Sequence, residues 1–131
     1  MWRVMFLFIW LWPGLAAAQD FLNAEEFEAA TAGKTFYFSS EGRPYGGEEY
    51  LEGRRVRWSF LDGRCIDGHW WQEGELICFS YEDDPSAHCW TFRQEANGLV
   101  ALFQNESTGR LLYEVQQSDT PLQCLGPKVG V

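Results

Sequence analysis

Residues 76–93, which read Leu-Ile-Cys-Phe-Ser-Tyr-Glu-Asp-Asp-Pro-Ser-Ala-His-Cys-Trp-Thr-Phe-Arg, decide the fold class of this chain. Large apolar side chains recur two residues apart in both halves of this stretch, at Ile77, Phe79 and Tyr81 and then at Trp90 and Phe92. Period-two alternation is typical of strands with one buried face. The polar turn signal at residues 83–85 lies between the two halves, so the stretch predicts a β-hairpin.

The cysteines of this hairpin lie off its apolar face. Cys78 and Cys89 alternate with the large apolar residues, so both point to the other side of neighbouring strands and can reach each other. Cys65 is offset from Cys78 by about four residues across the preceding predicted hairpin, which exceeds the reach of a disulfide. We therefore predict the pair Cys78–Cys89 and, by elimination, Cys65–Cys124, which would tie the C-terminal tail to the sheet.

The spacing of the same cysteines argues against metal and redox chemistry. The four cysteines contain no Cys-x-x-Cys motif, and His69 and His88 lie at no ligand spacing to any pair of them. The acidic run at residues 82–84 lacks the alternating oxygen ligands and the glycine of a calcium loop. We predict no metal site and no cofactor.

On both sides of residues 76–93, the chain contains further predicted short strands separated by turn signals. Residues 35–39 and 48–51 are β-prone, residues 56–60 alternate with Val56, Trp58 and Phe60 inward, and residues 41–47 are interpreted as a loop. Tight turns are predicted at residues 62–63, 73–74 and 97–98. The connections are too short for crossover helices, so we predict an all-β protein, an antiparallel meander of about eight strands forming a small barrel or a strongly curled sheet.

A short N-terminal helix is predicted ahead of the first strand. Asn23 and Glu26 have the spacing of a capping box, and Leu22 and Phe27 have that of a hydrophobic staple. Gly33 is placed to end the helix.

Residues 1–18 have the three parts of a secretory signal peptide. Arg3 supplies the positive charge, residues 4–12 are an apolar run too short to span a bilayer comfortably, and residues 16–18 are all alanine. We predict cleavage after Ala18, which leaves residues 19–131 as a single domain that is periplasmic or secreted. An even number of cysteines fits that oxidising location.

The charge of the chain argues against several partners. The net charge is −9, and loss of Arg3 with the signal peptide would make it −10. Such acidity is unfavourable for binding nucleic acid or anionic membranes and weakly favours a basic partner.

No catalytic constellation is visible in the sequence. Asp67 and His69 lie two residues apart, which is a common spacing on a strand face and only part of a triad. The aromatic residues are more informative, because the adjacent Trp70 and Trp71 must face opposite sides of a strand. We predict Trp70, Trp71 and Tyr81 as candidate ligand or partner contacts and no catalytic residue.

Several scaffold motifs together resemble a known kind of protein. They are residues 33–36, Gly-Lys-Thr-Phe, residues 68–70, Gly-His-Trp, residues 76–81 and the pair Cys89-Trp90. Over residues 23–115 the chain resembles a family of small exported proteobacterial proteins of unknown function with a lipocalin-like or curled-barrel look. The resemblance implies a fold and an exported location, and it implies no chemistry.

These observations predict an exported, disulfide-stabilised, non-enzymatic domain that binds a protein or a small ligand. Two alternatives are a small hydrolase or isomerase with its site in the mouth of a barrel, and a structural component of the cell envelope. The interior of the barrel distinguishes them, because an empty apolar cavity predicts a carrier and a filled one predicts recognition at the surface.

Overall fold

The structure, a computed structural model, describes residues 1, 9–14, 21–105 and 109–125. In this part of the chain eight strands are present: β1 Thr35–Ser40, β2 Arg43–Tyr50, β3 Arg55–Ser59, β4 Ile66–Glu73, β5 Leu76–Tyr81, β6 Asp84–Glu95, β7 Gly98–Phe103 and β8 Leu111–Ser118. Each strand pairs antiparallel with the next, and β8 pairs with β1, which closes the sheet into a barrel. The predicted all-β meander is confirmed, and it takes the form of a barrel.

The N-terminal helix, α1 Ala24–Thr31, lies at the end of the barrel where β1 begins. Its start is the predicted capping box: the backbone N–H of Glu26 donates to Asn23 Oδ1 at 2.8 Å, and the N–H of Asn23 donates to Glu26 Oε1 at 3.1 Å. Ala32 caps its C-terminal end, and Gly33 follows with a φ of +75°, a conformation that favours glycine.

Phe27 of α1 closes this end of the barrel. Its side chain is fully buried, and its ring contacts the rings of four inward-facing residues, Tyr50, Trp70, Phe79 and Phe92, at centroid distances of 4.5–6.3 Å. Outside this cluster, Gln72 Oε1 accepts a hydrogen bond from the N–H of Ala24 at 2.7 Å. The helix is therefore part of the core.

The interpretation of residues 41–47 as a loop is wrong, because β2 begins at Arg43 and the turn is confined to Glu41 and Gly42. Gly46 and Gly47 have a packing function inside the strand. A Cβ on Gly46 would collide with the ring of Trp58 inside the barrel, and one on Gly47 would lie 2.9 Å from Leu122 outside it. The two glycines let side chains cover both faces of β2 at close range.

The prediction of a tight turn at residues 62–63 is also wrong. Residues 60–65 form a longer loop between β3 and β4, and a 3-10 turn at Glu52–Arg54 connects β2 to β3. The loop is tied to the C-terminal tail by the Cys65–Cys124 disulfide and by a hydrogen bond from the N–H of Leu125 to the carbonyl of Gly63 at 2.6 Å. Because the C-terminal tail holds the loop between β3 and β4, a two-residue turn is not needed to join these strands.

The tail itself packs on the outside of the barrel. Leu122 is buried, its N–H donates to Glu49 Oε1 at 3.3 Å, and the hydroxyl of Thr35 donates to the carbonyl of Thr120 at 2.8 Å. The second disulfide joins Cys78 and Cys89, which lie directly opposite each other on β5 and β6. The two bonds are the same two pairs that strand parity and elimination predict.

Loss of the Cys65–Cys124 bond should lower the free energy of unfolding by about 2–4 kcal/mol, because the bond closes a long segment of the unfolded chain. Urea unfolding of the Cys65→Ser/Cys124→Ser variant measures this. The same variant should expose the tail to carboxypeptidase, whereas a Cys78→Ala/Cys89→Ala variant should keep the tail protected. Equal protection of the tail in both variants would contradict the function assigned to this bond.

The predicted cleavage point after Ala18 lies outside the described residues. Residues 9–14 are described and form neither helix nor strand, and the apolar side chains of Ile9, Trp10, Leu11 and Trp12 are at least 82% exposed. None of the helices in the described ranges is long and apolar enough to span a membrane.

Candidate ligand cavity

A cavity of about 360 Å³ occupies the barrel at the end opposite α1. Its lining residues lie in the middle of the strands and at the C-terminal ends of β3, β5 and β7. These strand ends lie at the end of the barrel away from the helix. A volume of this size is within the range of small-molecule sites. The barrel therefore combines one end filled by Phe27 with one end that is hollow.

The first wall of the cavity is a cluster of three aromatic rings, Tyr45, Trp58 and Phe60, which we call the mouth cluster. Their centroids lie 5.3–5.8 Å apart in tilted and edge-to-face contacts. Phe60 is 56% exposed, so an apolar ring surface is open to solvent at the entrance. Aromatic pairs in these geometries hold each other in place, which keeps the wall preformed.

The second wall is made by rings on β5, β6 and β7. Tyr81, His88, Phe103 and Trp90 follow one another with centroid distances of 6.3, 6.2 and 4.7 Å. Tyr81 approaches β4 closely because Gly68 has no Cβ, and an added Cβ there would lie 2.7 Å from the Tyr81 ring. The cavity is thus bordered by aromatic faces on two sides.

One carboxyl group, that of Glu48 on β2, lies among these rings. Its residue is only 2% exposed, and its cross-strand neighbours are Phe36 on β1 and Trp58 on β3. The hydroxyl of Tyr81 donates to Glu48 Oε1 at 2.8 Å. The other oxygen, Oε2, is buried and has no hydrogen-bond partner among the residues that the structure describes.

Burial changes the acid–base behaviour of this group. Loss of solvent around the carboxyl raises the pKa of Glu48 to about 8, against a smaller lowering effect of the hydrogen bond from Tyr81. Burial and the proximity of Glu48 also raise the pKa of Tyr81 well above its ordinary value, so its hydroxyl stays protonated and remains a donor. Below pH 8 the site holds a neutral carboxylic acid beside a phenol.

Two carboxylates, a histidine and an arginine lie at the entrance to the cavity. Asp83, Asp84, His88 and Arg110 are among the lining residues. Hydrogen bonds from the hydroxyl and N–H of Ser86, and then from His88 at 3.0 Å, lower the pKa of Asp84, so this carboxylate is ionised at neutral pH. Arg110 donates to the hydroxyl of Tyr45 at 2.8 Å and lies 5.4 Å from the centre of its ring.

The structure brings one of the three predicted contact residues into the cavity. Tyr81 lines it, whereas Trp70 is 3% exposed and packs edge-on against Phe27 at the closed end. Trp71 lies on the outer face, where its ring stacks on His69 and its Nε1 donates to Glu73 Oε1 at 3.0 Å. The two tryptophans face opposite sides of β4, as their adjacency predicts.

The residues weighed for catalysis lie elsewhere. His69 is exposed on the outer face, and Asp67 Oδ1 accepts a hydrogen bond from Nε of Arg57 at 2.9 Å rather than from the histidine. No serine, threonine or cysteine is among the described residues that line the cavity. In the described ranges, the carboxylate of Glu73 approaches the two sulfurs of Cys78 and Cys89, but these sulfurs are in a disulfide and are not thiolates.

Sequence reasoning missed Glu48, the most unusual group of the site. The signal that points to it is parity: Glu48 and Tyr50 are two residues apart, so they share a face of any strand that contains both. That face becomes the inner one because Tyr50 packs in the core. A short predicted strand beginning at Glu48 left the residue at a strand end, where a carboxyl is ordinarily solvated.

No protein-family model, curated protein or solved structure matches this chain. The geometry of the described residues therefore defines the class of protein. It is a disulfide-linked, eight-stranded antiparallel barrel, filled at one end and hollow at the other.

Proposed function

We propose that this protein is an exported, non-enzymatic domain that binds a small organic ligand inside its barrel. The observation that carries the proposal is the hollow aromatic end of the barrel, where Glu48 is the one buried carboxyl group among the described lining residues. Apolar pockets with a few placed polar groups are the usual form of small-molecule sites. The mouth cluster supplies apolar surface, and Glu48 with Tyr81 supplies the polar contact.

The residues that line the cavity favour binding over catalysis. A hydrolase needs a nucleophile or an activated water next to a base and an orienting group. The described lining offers a histidine paired with Asp84 at the entrance and no hydroxyl or thiol nucleophile of the usual types. A carrier needs only shape, apolar surface and orientation, all of which the walls provide.

Export is supported by the two disulfides, which are typical of proteins in oxidising compartments. It is further supported by the apolar residues 9–12, which are exposed and would be costly to keep on a mature protein in water. We place the mature domain at residues 19–131, in the periplasm or secreted, and propose that it belongs with the exported proteobacterial proteins that its scaffold motifs resemble.

The proposal is tested with a neutral, apolar fluorescent probe, N-phenyl-1-naphthylamine, and residues 19–131 of the parent protein. The probe should bind with a 1:1 stoichiometry and gain fluorescence. Phe103→Ala removes a ring from the cavity wall and should weaken binding by about tenfold, since a buried aromatic contact of this kind is worth on the order of 1 kcal/mol or more.

Tyr113→Ala is the matched control, because this ring is 46% exposed and is not among the cavity-lining residues. It should leave the affinity for the probe unchanged. No saturable binding to the parent protein, or equal weakening by both variants, would contradict a ligand site in the barrel.

A further inference from the structure

We propose that the ligand is an organic cation, an amine with an aromatic or apolar body, whose ammonium group pairs with the carboxylate of Glu48. This inference deepens the proposed function and rests on it. It concerns the chemical class of the ligand rather than the existence of the site, and it starts from the unpartnered oxygen of Glu48.

Among the residues that the structure describes, Glu48 has no charge partner. On either side its cross-strand neighbours are Phe36 and Trp58, so neither adjacent strand offers a cation at that level of the barrel. Its one described hydrogen bond comes from a neutral phenol, that of Tyr81. A buried charge is stable only when it is paired. A buried acid with one oxygen unpartnered fits a charge partner that the ligand brings.

The aromatic walls favour a positive group over other donors. Cations are attracted to the faces of tryptophan and tyrosine rings within about 6 Å, and more strongly when they are desolvated. Trp58 is directly across from Glu48, and Tyr81 is bonded to it. An ammonium group paired with the carboxylate would therefore also lie against two aromatic rings.

The charges at the entrance favour the same ligand. Asp83 and Asp84 line the mouth together with one guanidinium, that of Arg110, which is engaged with Tyr45. With Glu48 ionised, carboxylates outnumber cations along the described walls, and such a field attracts organic cations and repels anions.

Pairing with an ammonium group would ionise Glu48 and release its proton. Four groups affect the ionisation of Glu48 or of the phenols beside it. They are Tyr45 and Tyr50 on the same strand, Tyr81 on β5, and Glu114 on β8, whose charge acts on Tyr50. The hydrogen bond from Tyr81 favours the ionised carboxylate of Glu48, whereas the charge of Glu114 raises the pKa of Tyr50. Asp83, Asp84, His88 and Arg110 complete the set at the mouth.

The competing ligand chemistry is a neutral acceptor, such as a carbonyl, bound by the protonated acid. The two chemistries have opposite pH dependences. Affinity for a cation rises as Glu48 ionises, whereas affinity for an acceptor falls. With the carboxyl pKa at about 8, affinity for an ammonium ligand should increase on the order of 100-fold from pH 6 to pH 9.

The experiment compares three indole probes by titration calorimetry: tryptamine, tryptophol and indole-3-acetate, which place an ammonium, a hydroxyl and a carboxylate on the same ring. Tryptamine should bind most tightly at pH 9 and indole-3-acetate most weakly. At pH 7, titrations in buffers of different ionisation enthalpy should show release of nearly one proton per tryptamine bound and none per tryptophol. A His88→Gln variant should retain this proton release, which assigns it to the carboxyl.

Glu48→Gln should abolish the pH dependence and weaken tryptamine binding at pH 9 by at least tenfold, with little effect on tryptophol. The matched control is Glu49→Gln, since Glu49 is the next residue on the outer face of the same strand. The proton-release measurement uses the parent protein and does not depend on the folding of any variant.

Equal binding of tryptamine and tryptophol without proton release would overturn the amine proposal and leave the ligand site intact. Tighter binding of tryptophol at pH 6 than at pH 9, lost in Glu48→Gln, would overturn it in favour of a neutral acceptor. Failure of all three indoles and of N-phenyl-1-naphthylamine would overturn the proposed function itself.

Discussion

Glu48→Gln should make the protein more stable than its parent at pH 9, by about 5 kcal/mol, and should change its stability by less than about 1 kcal/mol at pH 5. The reason is the raised pKa of about 8 in the folded state, against an ordinary value of 4.5. Between these values the folded protein holds a proton that the unfolded chain has released. Rising pH therefore favours unfolding of the parent. Glutamine has no titratable proton, so the Glu48→Gln variant lacks this contribution to the pH dependence.

The measurement is urea unfolding of residues 19–131 at several pH values between 5 and 9, followed by circular dichroism. The difference between Glu48→Gln and the parent should grow through this interval and level off above pH 8. Glu49→Gln serves as the control. This carboxyl accepts a hydrogen bond from the N–H of Leu122 and lies 3.8 Å from Arg57, so it has the cation that Glu48 lacks among the described residues. Parallel pH profiles for the parent and Glu48→Gln would show that the carboxyl is solvated in the folded protein.

Phe27→Ala should lower the free energy of unfolding by about 3–5 kcal/mol, the range for removal of a fully buried aromatic side chain. The ring has no exposed surface and contacts four other rings, so its loss leaves a void where α1 meets the barrel. Because Tyr50, Trp70, Phe79 and Phe92 come from four different strands, little collapse into the void is expected. Urea unfolding followed by tryptophan fluorescence measures the loss.

Phe60→Ala makes the same chemical change at the open end and is the matched control. Its ring is 56% exposed and contacts only Tyr45 and Trp58 among the described aromatic rings. We expect a loss of about 1 kcal/mol or less. If both variants lose the same stability, α1 does not close the barrel in the manner described.

The fold was largely predictable from the sequence because its signals are local. Alternation in residues 76–81 and 90–92 identifies the faces of β5 and β6, and the positions of Cys78 and Cys89 follow from it. The signal for the helix start is also local, because Asn23 and Glu26 lie three residues apart. Barrel closure is the exception, since pairing of β8 with β1 joins distant parts of the chain, and no local pattern distinguishes it from a curled open sheet.

The candidate site was much less predictable, because it depends on contacts between distant residues. Residues 41–47, interpreted from the sequence as a loop, include Gly46 and Gly47, whose neighbours in the structure are Trp58 and Leu122. With that strand shortened, Glu48 had no reason to be buried. Tyr81 was found because its aromatic ring continues an alternating strand, whereas the exclusion of Trp70 from the cavity depends on Phe27, which lies 43 positions earlier in the chain.

Closure of one end by Phe27 has a kinetic consequence for any occupant of the barrel. A ligand enters and leaves by the same opening, so a second molecule cannot push the first out from behind. Because Tyr45, Trp58 and Phe60 line that opening, any ligand would pass them on entry and on exit. Substitutions at Phe60 should therefore change the rates of ligand exchange at the rim of the barrel without rebuilding the interior.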